Sequence, residues 1–178
     1  DGVFAKEIRP ALSSSNGLGA DPGSGPAETE WTKSYTDFAG RPSKIVCADG
    51  ATTRSFYNNL GQLVRTADPD AVQTLFDYDA LGRLSVTAVD MDRDGVIDFD
   101  GTDRITRTTR SYLTAHGTTI ERSVTETWGT DNSVTPTIVA TVDRSVDGLH
   151  TWSTANNLTA STGVVIDATA GTRTETTN

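Results

Sequence analysis

Stretches in which apolar and polar side chains alternate run along most of the chain, and they are separated by turns rich in glycine and aspartate. RLSVTAV (83–89), TTIERSVTETW (118–128) and PTIVATVDRSV (136–146) are examples. A period of two residues places successive side chains on opposite faces of a β-strand, so each stretch predicts a strand with one sheltered face. The pattern predicts an all-β fold built from antiparallel hairpins.

Three of the four tyrosines begin the same phrase. YTDFAGRP, YNNLGQLV and YDALGRLS start at Tyr35, Tyr57 and Tyr78, at steps of 22 and 21 residues. The glycine of each phrase suits a tight reversal, because glycine accepts a positive φ. A period near twenty residues indicates stacked supersecondary units. Equivalent residues then recur on every second strand, and we expect the three tyrosines and Tyr112 to stack as a ladder on one face.

These phrases resemble the YD repeat of the RHS family, whose YDxxGRL units wind into a spiralling β-sheet shell. YDALGRL (78–84) carries the resemblance best, YNNLGQL (57–63) follows, and YTDFAGRP (35–42) departs from it, since proline replaces the strand-opening leucine. The resemblance covers residues 31–115. It implies a curved or spiralling sheet that is part of a β-shell, a fragment of a bacterial RHS-like surface protein, and an extracellular or cell-surface location.

The composition of the chain divides it into three parts. Residues 1–30 combine one strand-like segment with a loop rich in glycine, proline and serine at 13–28. Residues 31–115 hold the YD-type repeats, and residues 116–178 continue as degenerate β-repeats that have lost the tyrosine. The step from the third tyrosine to the fourth is 34 residues, and the surplus is an aspartate-rich insertion at 90–103. We therefore expect this insertion to be a long hairpin loop.

The insertion DMDRDGVIDFDGTD contains six aspartates in fourteen residues. Its spacing resembles a calcium-binding loop, in which oxygens come from positions 1, 3, 5, 7 and 9 and a glycine occupies position 6. A glycine stands at position 12, where such loops use a glutamate. The alternative is a solvated acidic turn, but so many carboxylates repel one another without a counter-ion. The predicted calcium ligands are Asp90, Asp92, Asp94, the carbonyl of Val96, Asp98, and Asp100 or Asp103.

The overall charge limits the partners of the chain. The formal net charge is −9, which repels nucleic acid and anionic membranes. No apolar run reaches the ~20 residues that a membrane-spanning helix needs, so we expect no membrane insertion. Threonine supplies 30 of the 178 residues and keeps exposed sheet faces soluble. Further repeats of the same protein, or other copies of the chain pairing through sheet edges, are the expected partners.

The sequence favours a structural module over an enzyme. His116 and His150 lie among threonines and glycines, and neither is near a recognisable nucleophile motif. The predicted function is therefore a non-catalytic, self-assembling β-repeat module with a calcium-stabilised hairpin loop. The alternative is a module for cell-surface adhesion or carbohydrate binding, because exposed indoles stack on sugars. The candidate residues for that alternative are Trp31, Trp128 and Trp152.

Overall fold

A computed structural model describes residues 3–8, 31–129, 134–155, 158–167 and 172–177. Each of these segments is built from strands and turns, and none of the described residues is helical. Among them, accordingly, no helix has the length and apolar composition to cross a membrane. The prediction of an all-β fold is confirmed. The predicted loop at 13–28 lies outside the described residues.

The first compact unit comprises Asp1–Thr74. Each strand in it pairs antiparallel with the next one along the chain. The strand-like segment that the sequence indicates near the N-terminus forms the first strand. The strands are β1 (Val3–Ile8), β2 (Thr32–Thr36), β3 (Pro42–Cys47), β4 (Thr52–Tyr57) and β5 (Leu63–Ala67).

The second compact unit comprises Leu75–Asn178, and β6 (Gln73–Tyr78) crosses the boundary between the units. From β7 onward each strand again pairs antiparallel with its successor in the chain. These strands are β7 (Leu84–Asp90), β8 (Arg104–Ala115), β9 (Thr118–Thr127), β10 (Thr137–Ser145), β11 (His150–Ala155), β12 (Leu158–Asp167) and β13 (Thr172–Thr177).

One turn design explains the repeated phrase. The side-chain oxygen of Asp79 accepts hydrogen bonds from the backbone N–H groups two and four residues later, at 2.9 Å each. Asp37 and Asn58 make the same pair of bonds in their turns. The glycine three residues after each of them has φ between 78° and 81°. The phrase is therefore the signature of a side-chain-capped reversal, and the glycine supplies the left-handed residue.

The arginine that follows two of these turns closes them further. Arg83 Nε donates to the second carboxylate oxygen of Asp79 at 2.7 Å, and Arg41 bonds Asp37 in the same way. Hydrogen bonds from the backbone N–H and then the side chain of Arg83 lower the pKa of Asp79 below the ordinary value, and those from the side chain and then the backbone N–H of Arg41 lower the pKa of Asp37. Asn58 lacks the charge and pairs with the side chain of Gln62 instead. The YDxxGR phrase thus encodes both a turn and an ion pair between aspartate and arginine that closes it.

The core of the second unit is small and lies on one face of its sheet. Its main cluster is Leu75, Val86, Ala88, Ile105 and Trp128, all less than a tenth exposed, and Ile120 on β9 is also buried. The register places Ala88 opposite Ile105 on β7 and β8, and the backbone N–H of Trp128 donates to the carbonyl of Ile105. In the first unit none of the described residues from 31 to 74 is buried. That part of the sheet therefore has no core of fully buried side chains among the described residues.

The turn between β5 and β6 tests the turn design. Ala71 occupies the position that glycine holds in the repeated turns and adopts φ 61°. A left-handed residue with a Cβ costs about 1 kcal/mol relative to glycine. We expect Ala71→Gly to stabilise the chain by about this amount and Gly40→Ala, where φ is 79°, to destabilise it similarly. Urea unfolding of both variants measures the two opposite shifts, and shifts of equal sign would contradict the turn design.

Candidate metal centre

The aspartate-rich loop connects β7 and β8, and a buried carboxylate ties each of its ends. Asp90, the last residue of β7, is 1% exposed. Its Oδ1 accepts a hydrogen bond from the backbone N–H of Arg93 at 2.6 Å, and its Oδ2 accepts one from Gly95 at 3.0 Å. Arg93 and Gly95 both have positive φ, so the chain reverses tightly around this carboxylate. Asp90 organises the first half of the loop.

Asp103 organises the second half from the start of β8. It is also 1% exposed, and its Oδ1 accepts from the backbone N–H of Met91 at 2.9 Å. Its Oδ2 accepts from the backbone N–H of Asp98 at 3.2 Å. A buried carboxylate is tolerated where its oxygens accept such bonds. The bond from Met91 to Asp103 therefore brings the two ends of the loop together, while Asp90 holds the turn in its first half.

The loop also supplies apolar side chains to the core. Ile97 and Phe99 pack against the cluster that includes Ile105 and Trp128. The ring of Phe99 meets the Trp128 ring edge-on, with centroids 4.9 Å apart. The guanidinium of Arg107 lies 4.7 Å from the centroid of the Trp128 ring. The aspartate-rich loop, predicted to bind calcium, thus also covers the hydrophobic core. The spacing of its aspartates did not predict this second role.

Three carboxylates converge in the first half of the loop. One oxygen from each of Asp90, Asp92 and Asp94 lies within 4.8 Å of the other two. Asp92 and Asp94 are exposed, and Asp94 Oδ1 also accepts from the backbone N–H of Val96 at 2.7 Å. Oxygen donors at this separation fit a hard divalent cation, which accepts carboxylates from several positions of a loop. These three are the first, third and fifth positions of the predicted calcium site.

The pKa of Asp98 shows that the carboxylates of this loop repel one another. Burial raises the pKa of its carboxyl group, and the charges of Asp94 and Asp92, with those of Asp100 and Asp103, raise it further. The loop therefore disfavours its own full ionisation, and a bound cation would offset that repulsion. A Cβ at Gly101 would lie 2.8 Å from the Cβ of Asp98, so glycine is needed where calcium-binding loops often carry a glutamate.

The remaining predicted ligands stand in different positions. Asp103, like Asp90, uses both carboxylate oxygens on backbone N–H groups, but the group of three converging carboxylates does not include it. Asp98 and Asp100 contribute negative charge beside the group of three, and the carbonyl of Val96 stays a predicted ligand. The ligand set therefore remains a prediction, with Asp90, Asp92 and Asp94 as its convergent part. The alternation of apolar residues within the acidic loop, at 97 and 99, was the signal for its second role.

A third buried carboxylate lies on β10. Asp143 accepts two hydrogen bonds of 2.7 Å from the guanidinium of Arg122 on β9. The Nε2 atom of His116, in the turn between β8 and β9, lies 2.9 Å from the same carboxylate. The imidazole of His116 also stacks on the indole of Trp152, with centroids 4.1 Å apart and planes 13° apart. Strands β9, β10 and β11 are thereby joined by one side-chain network.

This network gives the histidine a positioning role. His116 adopts φ 52°, an uncommon backbone conformation for a residue with a side chain, and the contacts to Asp143 and Trp152 hold it there. His150 stacks on the same indole, with centroids 5.5 Å apart. Both oxygens of the carboxylate bond to Arg122, so the pair of His116 and Asp143 is built into the sheet. A structural role accounts for every one of these contacts.

The tyrosines that open the repeats make contacts of several kinds. The Nζ atom of Lys44 lies 4.1 Å from the centroid of the Tyr35 ring. The Tyr57 hydroxyl donates to the carbonyl of Pro42 at 2.8 Å. Tyr112 is 65% exposed and bonds the carboxylate of Glu121. Contacts of these kinds do not test a ladder, and the predicted stacking of Tyr35, Tyr57, Tyr78 and Tyr112 stays a prediction.

This fold defines the class of the protein: it is an antiparallel β-repeat protein whose hairpins share one kind of capped turn. Residues 57–97 match the family model described as RHS Repeat. The match begins at Tyr57 and reaches into the aspartate-rich loop, and over these residues it confirms the resemblance seen in the repeated phrase. RHS repeats are generally structural. No curated protein matched the chain.

Phe99 should stabilise the fold because it is part of the loop that covers the hydrophobic core. Phe99→Ala removes a partly buried ring from the core, and we expect a loss of about 2 to 3 kcal/mol of unfolding free energy. Val96→Ala shortens an exposed side chain of the same loop and should cost less than about 0.5 kcal/mol. Chemical denaturation measures both, and equal costs for the two variants would show that the loop covers nothing.

The ion pair of Asp143 should appear in the acid stability of the chain. The hydrogen bonds from Arg122, with a smaller contribution from His116, lower the pKa of Asp143 against the opposing effect of burial. The ionised carboxylate therefore contributes stability above the unfolded pKa of about 4, and this contribution is lost as the pH falls through the lower folded pKa. We expect Asp143→Asn to cost about 1 to 3 kcal/mol at neutral pH.

The cost of Asp143→Asn should shrink as the pH falls below about 4, because the unfolded wild-type chain then takes up a proton on this carboxylate, and the folded chain does so as the pH passes its lower pKa. Urea unfolding at several pH values measures this difference. Asp49→Asn is the control, since Asp49 is an exposed turn residue whose oxygen accepts from the backbone N–H of Ala51, which an amide oxygen can also do. A pH-independent cost for the Asp143 variant would contradict the assignment.

Proposed function

We propose that the chain is a structural, non-catalytic β-repeat module whose aspartate-rich loop is locked by calcium. The RHS repeat sequence at 57–97 supports the structural role. RHS repeat proteins are typically extracellular or at the cell surface, and we propose this location for the chain. Calcium at millimolar concentration, as found outside cells, suits an open single-loop site with a dissociation constant of about 10⁻⁴ to 10⁻³ M.

The observation that carries the proposal is the double role of the loop. Its apolar residues cover the core, while the carboxylates of Asp90, Asp92 and Asp94 converge within 4.8 Å. Mutual repulsion among these charges opposes the loop conformation that the core requires. A cation bound by Asp90, Asp92 and Asp94 would remove this repulsion and join the first half of the loop to the end of β7. Calcium would in this way stabilise the cover of the core.

The module is proposed to extend a larger repeat array. Every side chain of β13 is exposed, and in the second unit this strand pairs with β12 on one side. An edge strand with a row of open backbone groups accepts another strand. We assign this edge to pairing with a further β-repeat strand of the same protein, which is the arrangement that solenoid-like repeats use to bury their ends.

Calcium should stabilise the wild-type chain and leave a loop variant unchanged. The double variant Asp92→Asn with Asp94→Asn keeps the buried ties at Asp90 and Asp103 and removes two of the converging charges. In chelator we expect this variant to be at least as stable as the wild type, because the repulsion is relieved. In about 10 mM calcium the wild type should gain about 1 to 3 kcal/mol and overtake it. Thermal unfolding with and without calcium measures the reversal.

The matched control is Asp68→Asn with Asp70→Asn, which removes two acidic charges from the turn between β5 and β6, outside the loop. This control should keep the full calcium effect, since it leaves Asp90, Asp92 and Asp94 in place. Titration calorimetry gives a second readout, in which the wild type releases or absorbs heat with calcium and the loop variant does not. Equal melting temperatures for the wild type in calcium and in chelator would refute the calcium site.

A further inference from the structure

The first unit carries a positively charged face in a chain whose net charge is negative. Strands β2 to β5 contain no acidic residue, and each contributes one cation. The four acidic residues between positions 31 and 74 all lie between strands. We call the surface formed by these cations and the aromatic residues beside them the cationic face. Its members are Trp31, Lys33, Tyr35, Lys44, Arg54, Phe56 and Arg65.

The strand register puts these side chains on one side of the sheet. Tyr35 lies opposite Lys44, and Lys44 lies opposite Arg54. Phe56, two residues after Arg54, lies opposite Arg65. Directly opposed residues of antiparallel strands share a face, and so do residues two apart in one strand. The face is therefore continuous across four strands, a width of about 14 Å.

Aromatic rings hold three of the cations in place. The Nζ atom of Lys33 lies 4.4 Å from the Trp31 ring centroid, and that of Lys44 lies 4.1 Å from the Tyr35 centroid. The guanidinium of Arg65 lies 4.0 Å from the centroid of Phe56. A cation over a ring loses part of its freedom but keeps its charge. A ring face that holds a cation is also unavailable to stack on a sugar. The surface therefore favours anions, which the cations attract, over sugars.

Three cations at the centre of this face are available to a partner. Within the part of the chain that the structure describes, Lys44, Arg54 and Arg65 form no ion pair with a carboxylate. Arg54 is exposed, and the other two are half-buried. At the outer edge, the register places Glu7 of β1 opposite Lys33, which leaves the centre of the face free of acidic residues. A short anionic segment would meet three cations there.

From this charge pattern we propose that the cationic face of one molecule binds the aspartate-rich loop of a second copy. The loop is a compact hairpin tip with six aspartates and one arginine, and Asp92, Asp94 and Asp100 are exposed. A long uniform polyanion is disfavoured, because the chain as a whole carries a net charge of −9. Joining two unlike surfaces makes a head-to-tail contact, which propagates along a row of molecules.

The contact goes beyond the proposed scaffold role and has an opposite response to calcium. Calcium bound to the loop would neutralise the charges that the face recognises, so calcium should weaken association while it stabilises the fold. Salt should weaken the contact too, since exposed charges are screened within about 10 Å at 0.1 M ionic strength. Pairing through sheet edges would respond to salt in the opposite way. It depends on backbone hydrogen bonds and on covering apolar side chains, and salt would favour it by screening the repulsion between two negatively charged copies.

Sedimentation velocity of the full chain over a range of concentrations tests the proposal. We expect association in chelator at low salt and at least tenfold weaker association in about 0.5 M salt, where screening is nearly complete. The variant Lys44→Glu with Arg54→Glu should be monomeric. The matched control, Arg110→Glu with Arg144→Glu, makes the same change in net charge at residues of the second unit that lie outside the loop and outside β13, and it should associate like the wild type.

A charge exchange separates loss of the contact from loss of the fold. The variant Asp92→Lys with Asp94→Lys should also be monomeric alone, but mixing it with the Lys44→Glu, Arg54→Glu variant should restore association. Restored association requires both variants to be folded. No association in the mixture, or association of the wild type that salt does not weaken, would overturn the proposal. Heparin binding to the face without association of the chain would also overturn it and indicate a glycan partner.

Discussion

A single antiparallel sheet buries almost nothing unless something covers one of its faces, and this constraint governs the whole molecule. In the second unit the cover for one group of strands is the loop between β7 and β8, which places Ile97 and Phe99 over Ile105 and Trp128. Around this loop the apolar side chains of β7 and β8 become a core. Between residues 31 and 74, none of the described residues is buried.

Carboxylates do structural work where hydrophobic burial is scarce. Asp90 and Asp103 each use both oxygens to hold backbone groups of the loop, and Asp143 joins β10 to β9 and to the turn that carries His116. Asp79 caps the turn of the best-matching repeat. Short polar side chains that bond to the backbone thus fix reversals and strand ends, which a thin sheet cannot fix by packing alone.

The two units share a strand pattern but differ in how their side chains are satisfied. In the first unit cations lie over aromatic rings, as Lys44 does over Tyr35 and Arg65 over Phe56. In the second, Arg107 also lies over the ring of Trp128, but buried carboxylates and a small core are added to this kind of contact. The first unit presents the cationic face, and the second presents a loop dense in aspartate.

The sequence by itself determined the strands, the antiparallel hairpins, the repeated turn and the acidic insertion, because the two-residue alternation and the capped turn at Asp79 are local properties. Only the tertiary structure decided which side chains from distant parts of the chain come into contact. It brought Asp90, Asp92 and Asp94 together, turned Phe99 onto Trp128, and paired His116 with Asp143. Those contacts depend on how a long loop and a hairpin tip fold back over neighbouring strands, and alternation carries no information about that.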